Sequence, residues 1–416
     1  MKRLIDIYNE TSLILRIIIG LISGILLGCF FPYMNFMEVL GKLFVGALKG
    51  IAPILVFVLI VAALAKEKEK LDKKFSYVIF LYLISTFCAS FTAIIGSFIF
   101  PQTLVLDGTV SNDGIIPTGI FDVITNLLYT MVENPLEAIQ KGQYTGILFW
   151  SIIFGIGLKN VACESTKKLI SDVQNAVSNI VASIINLAPF GIMGLVYTSV
   201  STSGLSIFTT YGKLVLLLVS CMLVSALVIN PFIVFLALRI NPYPLVLKCI
   251  IKSGTTAFFV RSSAANIPVN MALCEELELD KKMYAVSIPL GATINMNGAA
   301  VTVAVMTLAA VHTVGVSVDL ISAFLLSLLG AIAACGASGI AGGSLLLIPM
   351  TCSLFGISQD IAMQVVAVGF VIGVIQDSFE TALNSSGDVL FAATAEYKNW
   401  KKIGKKLPDF LCSDKK

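Results

Sequence analysis

Residues Ile288 to Ala300 read IPLGATINMNGAA, a run of Gly, Thr and Asn in the middle of an otherwise apolar stretch long enough to cross a bilayer. Gly and Asn are poor interior helix residues, each costing up to about 1 kcal/mol relative to Ala. Non-helical backbone at membrane depth is tolerated only where protein or a water-filled cavity satisfies it. The reading is therefore a broken span whose freed carbonyls face a site. Carbonyls, an amide and one nearby carboxylate make an oxygen cage suited to a monovalent cation better than to Ca²⁺ or Mg²⁺.

Two further apolar stretches flank this break, at about 245–275 and 320–355, and both are interrupted by small polar residues. The first turns at FVRSSAANIPVNM, Phe259 to Met271, and the second at ACGASGIAGGS, Ala334 to Ser344. Turn-forming residues with exposed N–H groups beside half-helix N-termini suit an anionic group such as an amino-acid carboxylate. The last apolar segment then carries VIGVIQDSFETALNSSGD, Val371 to Asp388. Asp377, Thr381, Asn384 and Asp388 are spaced by four, three and four, which at 100° per residue is one narrow arc, with Glu380 beside it. A charge at the bilayer centre costs at least about 2.5–3.5 kcal/mol, so this stripe is a candidate site.

Composition agrees. Of 416 residues 57% are hydrophobic and 13% charged, with mean hydropathy +0.93; soluble domains carry roughly 25% charged residues. An ordinary cytosolic enzyme, a disordered chain and a nucleic-acid binder are excluded, the last also because the net charge is only +3. At about 20 apolar residues per crossing, the expected fold is an all-α polytopic membrane protein. Its eight transmembrane helices lie near 12–31, 40–65, 75–101, 145–158, 176–200, 211–238, 284–313 and 360–396. Lys and Arg collect in alternate loops and at both termini, so the positive-inside rule puts both termini in the cytoplasm and makes the two broken stretches re-entrant hairpins, one from each face. Inverted repeats with such breaks build the sites of secondary transporters. The polar segment from Gln102 to Thr145 is the one large outside loop.

Enzyme chemistry finds little footing. The single histidine, His312, and nine scattered cysteines with no CxxC pair offer neither a metal cluster nor a nucleophile–base pair. No GxxxxGK[ST] phosphate loop points to ATP as driving force. No cleavable leader is expected, because the first apolar run is long enough to span.

The stretch from Phe259 to Asp388 resembles the dicarboxylate/amino acid:cation symporter family, the glutamate-transporter fold. The resemblance rests on Arg261-Ser262-Ser263 with Pro268, the PLGATINM run from Pro289, the Gly-rich second tip, and Asp377 through Asn384 to Asp388. Weaker agreement reaches Tyr82 to Thr86 and Asn134-Pro135. The resemblance implies a scaffold that trimerises (10–65 and 120–200), a mobile transport unit (75–101 and 211–396) containing hairpin 1 (245–275), helix 7 (284–313), hairpin 2 (320–355) and helix 8 (360–396), and a cytoplasmic tail (397–416). It further implies a substrate site of Arg261, Ser262, Ser263, Ile340, Gly342, Gly343, Asp377, Glu380, Thr381 and Asn384. Ser263 and Asn384 would meet the substrate carboxylate, and Asp377 with the carbonyls of Arg261 and Ile340 its ammonium. One sodium ion would lie among Gly291, Asn295, Asn384 and Asp388, and a second among Thr293, Ala334, Cys335 and Ala337.

Two departures matter. Members that carry acidic amino acids have arginine where this chain has Glu380, and threonine where it has Ala299; a carboxylate there would repel an acidic substrate and receive a small hydroxyl. The expected substrates are thus serine and threonine, taken up into a bacterium across its plasma membrane with sodium, by a homotrimer. Alternatives are another small neutral amino acid or a dicarboxylate, coupling to protons, and, remotely, a polytopic membrane enzyme. At the third ion site, built from Tyr82, Ser85, Thr86 and a seventh-helix aspartate, this chain has Asn297, which predicts fewer than three sodium ions per cycle.

Overall fold

The computed structural model describes residues 11, 13–65, 73–106, 129, 131–141, 143–204, 207–335 and 342–411. Helices and short turns make up the fold, with no strand among the described residues. Apolar segments become helices because a helix satisfies its own backbone groups, and polar residues mark the ends. Asp280, Asp319 and Ser358 accept N–H groups of Lys282, Ser322 and Ile361 at the starts of three helices.

The chain begins with α1 (Leu13–Phe30), α2 (Asn35–Ala65) and α3 (Lys73–Ile99). There follow α4 (Pro135–Lys141), α5 (Tyr144–Val161), α6 (Glu164–Asn186) and α7 (Ala188–Ser203). Helices α1 and α7 pack tightly through Gly20, Gly24 and Gly28: a Cβ on Gly24 would lie 2.6 Å from the Met193 carbonyl. This is small-residue packing of the kind that joins helices in membranes, and α2 lies against α5 and α7.

The second half starts with α8 (Ile207–Val224), a π-helical turn (Ser225–Ile229) and α9 (Asn230–Leu238). Next, α10 (Tyr243–Cys249), a second π-helical turn (Ile250–Gly254) and α11 (Thr255–Val260) form one arm, which reverses at Arg261–Asn266 into α12 (Ile267–Glu276). The arms run side by side: Ser253 Oγ donates to Asn270 Oδ1 at 2.5 Å, and Glu276 bridges Lys248 and Lys252 at 3.0 and 2.5 Å. The stretch read as interrupted at 245–275 is thus two helical arms joined at Arg261–Asn266. The seventh span is broken where Asn295 and Met296 interrupt it, into α13 (Lys281–Ile294) and α14 (Asn297–Val314). Then come α15 (Leu320–Ala334), a 3₁₀ turn (Gly343–Leu347), α16 (Ile348–Ser353) and the 44-residue α17 (Gln359–Lys402).

Among the described residues six helical segments are long and apolar enough to cross a membrane, or seven when the bent pair α6 and α7 counts as one. The chain is a multi-pass membrane protein. The segment read as one span at 176–200 is instead bent by 51° between Asn186 and Ala188, where Pro189 withholds an N–H and opens a new helix. Helix α17 passes the expected end at 396 and reaches Lys402, so the polar tail starts later than 397; Leu411 folds back into the core formed by α10, α12 and α17. At about 1.5 Å per residue, α17 is roughly 66 Å long, more than a bilayer needs. Part of the expected outside loop, residues 107–128, lies outside the described residues.

Candidate functional site

Helix α17 carries the stripe, and its neighbours bring every polar group to it. Asp377, Glu380, Thr381, Asn384 and Asp388 are each no more than 5% exposed. Helix α14 approaches so closely that a Cβ on Gly298 would lie 2.6 Å from the Glu380 Cα; only glycine fits there. The Gly298 N–H, an orphan donor at the start of α14, is capped by Asn384 Oδ1 at 2.7 Å. That commits the oxygen of Asn384 and leaves its amide nitrogen, 3.4 Å from Met296 Sδ, as the donor.

Asp377 joins the two broken segments. Its Oδ2 accepts from Arg261 Nε at 2.8 Å at the first turn, and its Oδ1 from the Gly342 N–H at 3.3 Å at the second. Arg261 has φ of 55°, a left-handed conformation uncommon outside glycine, and its Nη2 also donates to the Gly373 carbonyl at 3.3 Å. Both charges are buried. The void beside Arg261, Gly342 and Gly373 is about 20 Å³, room for about one water. The sequence-level reading used only the backbone carbonyl of Arg261; the side chain on Asp377 is new.

Glu380 has no basic partner among the described residues. Its Oε2 accepts from Thr302 Oγ1 at 2.7 Å, Ser344 Oγ at 2.8 Å and, very closely, Gln376 Nε2. None of these three was singled out from sequence, although Gln376 precedes Glu380 by four and shares its face. A buried carboxylate is retained when hydrogen bonds replace its water, and neutral donors from α14, α17 and the 3₁₀ turn do so here.

The first candidate cation set is brought together. Asn295 Nδ2 donates to Asp388 Oδ1 at 2.9 Å and to the Asn384 carbonyl at 3.0 Å, and a Cβ on Gly291 would lie 2.8 Å from Asp388 Oδ1. Behind it Asn266, Asn270, Ser253 and Ser385 form a buried network that also reaches Asp388, with Asn266 Nδ2 to Ser385 Oγ at 2.8 Å and Asn270 Nδ2 to Asp388 Oδ2 at 3.5 Å. The i, i+4 spacing of Asn266 and Asn270 in an apolar arm was its readable signal. For the second set, Cys335 reaches the break, with Sγ 3.5 Å from the Ile294 carbonyl beside Thr293; Ala334 is buried at the end of α15. Ala337 and Ile340 lie outside the described residues. Ser263 is buried in the first turn, while Ser262 Oγ accepts the Ala265 N–H and so shapes that turn. Gly343 opens the 3₁₀ turn.

At the third set, Asn297 Oδ1 accepts from Ser85 Oγ at 3.1 Å and Thr86 Oγ1 at 2.9 Å, and its Nδ2 donates to Asn230 Oδ1 at 3.4 Å. Tyr82 joins this trio through its backbone carbonyl, which lies 3.0 Å from Ser85 Oγ and 2.9 Å from Thr86 Oγ1, while its hydroxyl is shared between the carbonyls of Asp388 and Ser287 at 3.0 and 3.2 Å.

Membrane-length helices whose two interrupted segments meet on a buried acidic stripe are the architecture of a secondary transporter. The chain belongs to the sodium:dicarboxylate symporter family, whose description matches residues 13–397. It is 58% identical over 410 residues to the serine/threonine transporter SstT of Bifidobacterium adolescentis, covering 99% of this chain and 95% of that protein. It is 55% identical over 396 residues to the serine/threonine transporter SstT of Streptococcus agalactiae serotype III, covering 95% and 98%.

Proposed function

We propose that this chain takes up serine and threonine by sodium-coupled secondary active transport. The observation that carries this is Glu380: a buried carboxylate supported by three neutral donors, while the one buried arginine of the stripe is committed to Asp377. An acidic substrate would bring a second negative charge to Glu380 at a cost of several kcal/mol, whereas a small hydroxyl can donate to it. The names of the two relatives support the same substrates. The α-carboxylate meets Ser263 and the amide nitrogen of Asn384, whose contact in the structure is the weak acceptor Met296 Sδ, and the ammonium meets Asp377. The test is sodium-dependent uptake of labelled serine into proteoliposomes with a panel of competitors. Inhibition by threonine and none by aspartate is expected; aspartate outcompeting serine overturns the reading.

Sodium enters as a co-transported ion. One ion would take the Asp388 carboxylate and the carbonyls of Gly291, Asn295 and Asn384, all oxygen donors with a single charge. A second would lie by Thr293, Ala334, Cys335 and Ala337. Each ion supplies about 2.3 kcal/mol per 100 mV plus about 1.4 kcal/mol per tenfold gradient, enough for accumulation of several hundredfold. At the third set Asn297 leaves no formal charge to hold an ion. Replacing Asn297 by Asp is expected to raise the sodium-to-substrate ratio by one, read from the reversal potential; an unchanged ratio argues against an ion pathway there.

The architecture is eight spans with two re-entrant hairpins entering from opposite faces as inverted repeats. Five of the long segments, the bent pair α6 and α7, and helices α1 and α5, 18 residues each and about 27 Å long, make the eight, with Tyr243–Val260 taken as a hairpin arm and not as a span. The scaffold (10–65, 120–200) forms a homotrimer, and the unit of 75–101 and 211–396 moves against it by alternating access. The setting is a bacterial plasma membrane with both termini inside. Cys163 reports this orientation. It is exposed between α5 and α6, and hydrogen bonds to Ser165 and then Thr166 pull its thiol down to about 6. A variant keeping only this cysteine is expected to react with a membrane-impermeant maleimide at pH 7 from the cytoplasmic side, and more slowly as the pH falls through 6. Labelling from outside inverts the topology.

A further inference from the structure

We propose that Gln376 is the residue that selects a hydroxylated side chain, by accepting the substrate's hydroxyl on its amide oxygen; this rests on the serine/threonine reading above. Gln376 is fully buried. Its nitrogen donates both to Glu380 Oε2 and to Thr302 Oγ1, the latter at 2.7 Å. Thr302 and Ser344 donate to the same carboxylate oxygen. With Glu380 ionised, turning the amide over would set its carbonyl against that oxygen, two acceptors in contact with no proton between them, so the carboxylate form of Glu380 directs the amide nitrogen toward itself. The amide oxygen is then left buried with no donor among the described residues.

A dry amide carbonyl costs about 1–3 kcal/mol. Buried polar atoms that go unpaired in a native protein call for a partner from elsewhere. Amide nitrogen and oxygen share one carbon, so the oxygen lies within a hydroxyl's reach of the Glu380 carboxylate. A methyl group arriving there leaves the carbonyl unpaired, and a carboxylate arriving there meets two acceptors. Only a donor repairs the defect, and a substrate whose ammonium is held by Asp377 has its hydroxyl to offer. Glu380 then excludes acids, and Gln376 excludes the isosteres that lack the hydroxyl. Sites built around a substrate hydroxyl reject the analogue without it far more strongly than apolar pockets do.

Threonine and valine are the diagnostic pair, equal in shape and different in the hydroxyl. KM and kcat for threonine, and the inhibition constant of valine, are measured in proteoliposomes for the wild type and for Gln376→Met, which keeps the length and removes both heteroatoms. In the wild type threonine is expected to be favoured by about 100-fold or more. In Gln376→Met the lost Glu380 donor is expected to weaken both ligands, and the preference to fall below about tenfold because KM for threonine rises more than the inhibition constant of valine. Gln376→Asn, which withdraws the oxygen by one methylene, is expected to lower the preference in the same direction and serves should the methionine variant fail to fold. Ser344→Ala removes a Glu380 donor and leaves the partners of the Gln376 nitrogen in place, so it is expected to weaken threonine and valine alike. A preference that survives in the methionine and asparagine variants, or a loss that is equal for both ligands, overturns the assignment and leaves Gln376 a packing residue. A wild type with no sodium-dependent threonine uptake instead overturns the functional reading.

Discussion

Asp377→Asn is expected to reduce uptake to background and to destabilise the protein. In the native site the Asp377 carboxylate neutralises Arg261 at 2.8 Å with both side chains buried. Taking away one partner of a buried pair leaves an uncompensated charge, at a cost of about 3–5 kcal/mol, while removing both partners is far milder. Arg261 would lose its counter-charge, and its Nη1 already has no acceptor among the described residues. Two donors, Arg261 Nε and the Gly342 N–H, use separate oxygens of the carboxylate, and asparagine keeps one oxygen, so the substitution unfastens one of the two broken segments from α17. The double variant Asp377→Asn with Arg261→Met is therefore expected to regain most of the thermal stability in detergent without regaining uptake. Recovery of uptake in the double variant would mean that Asp377 serves only to neutralise Arg261 and does not meet the substrate.

Glu380→Arg is expected to abolish serine uptake and to admit aspartate. The substitution changes the charge of the pocket by two. Guanidinium groups only donate, and the three groups around position 380 can adapt: the hydroxyls of Thr302 and Ser344 rotate to accept, and the amide of Gln376 turns its oxygen inward. The closed packing around 380 thus survives better than a charge reversal in a dry site otherwise would. A neutral substrate then meets an unpaired cation, and an acidic one gains a partner; discrimination built from like-charge repulsion is worth several kcal/mol. A competitor panel on the variant reads the result, with a serine KM raised at least about 100-fold. Retained serine preference with aspartate still excluded would place the specificity elsewhere than at 380.

Much of this site could be read from residue order because a membrane makes polar residues conspicuous. Asp377, Thr381, Asn384 and Asp388 share an arc by spacing alone, and the Gly and Asn residues of 288–300 announce a break that the structure has at Asn295 and Met296. What pairs with what was less legible. Arg261 and Asp377 are 116 positions apart, and nothing in the order of residues tells whether the arginine side chain faces the stripe or solvent. Likewise Gln376, Thr302 and Ser344 are ordinary polar residues on three separate elements, and they become a carboxylate cradle only when α14, α17 and the 3₁₀ turn meet. The bend between α6 and α7 escaped hydropathy because proline changes backbone geometry and leaves average hydrophobicity high.

By itself, then, the sequence determined that this is a polytopic helical membrane protein, that its seventh span breaks within 288–300, and that one helix carries the acidic stripe. Those properties follow from transfer free energies and helical periodicity, which act on each segment alone. The tertiary structure alone decided that Asp377 fastens both breaks, that Glu380 is held by neutral donors, and that the Gln376 oxygen is left unpaired. Hydrogen bonds are short and directional, so their partners are chosen by how helices approach, and that is settled only when the whole bundle is packed.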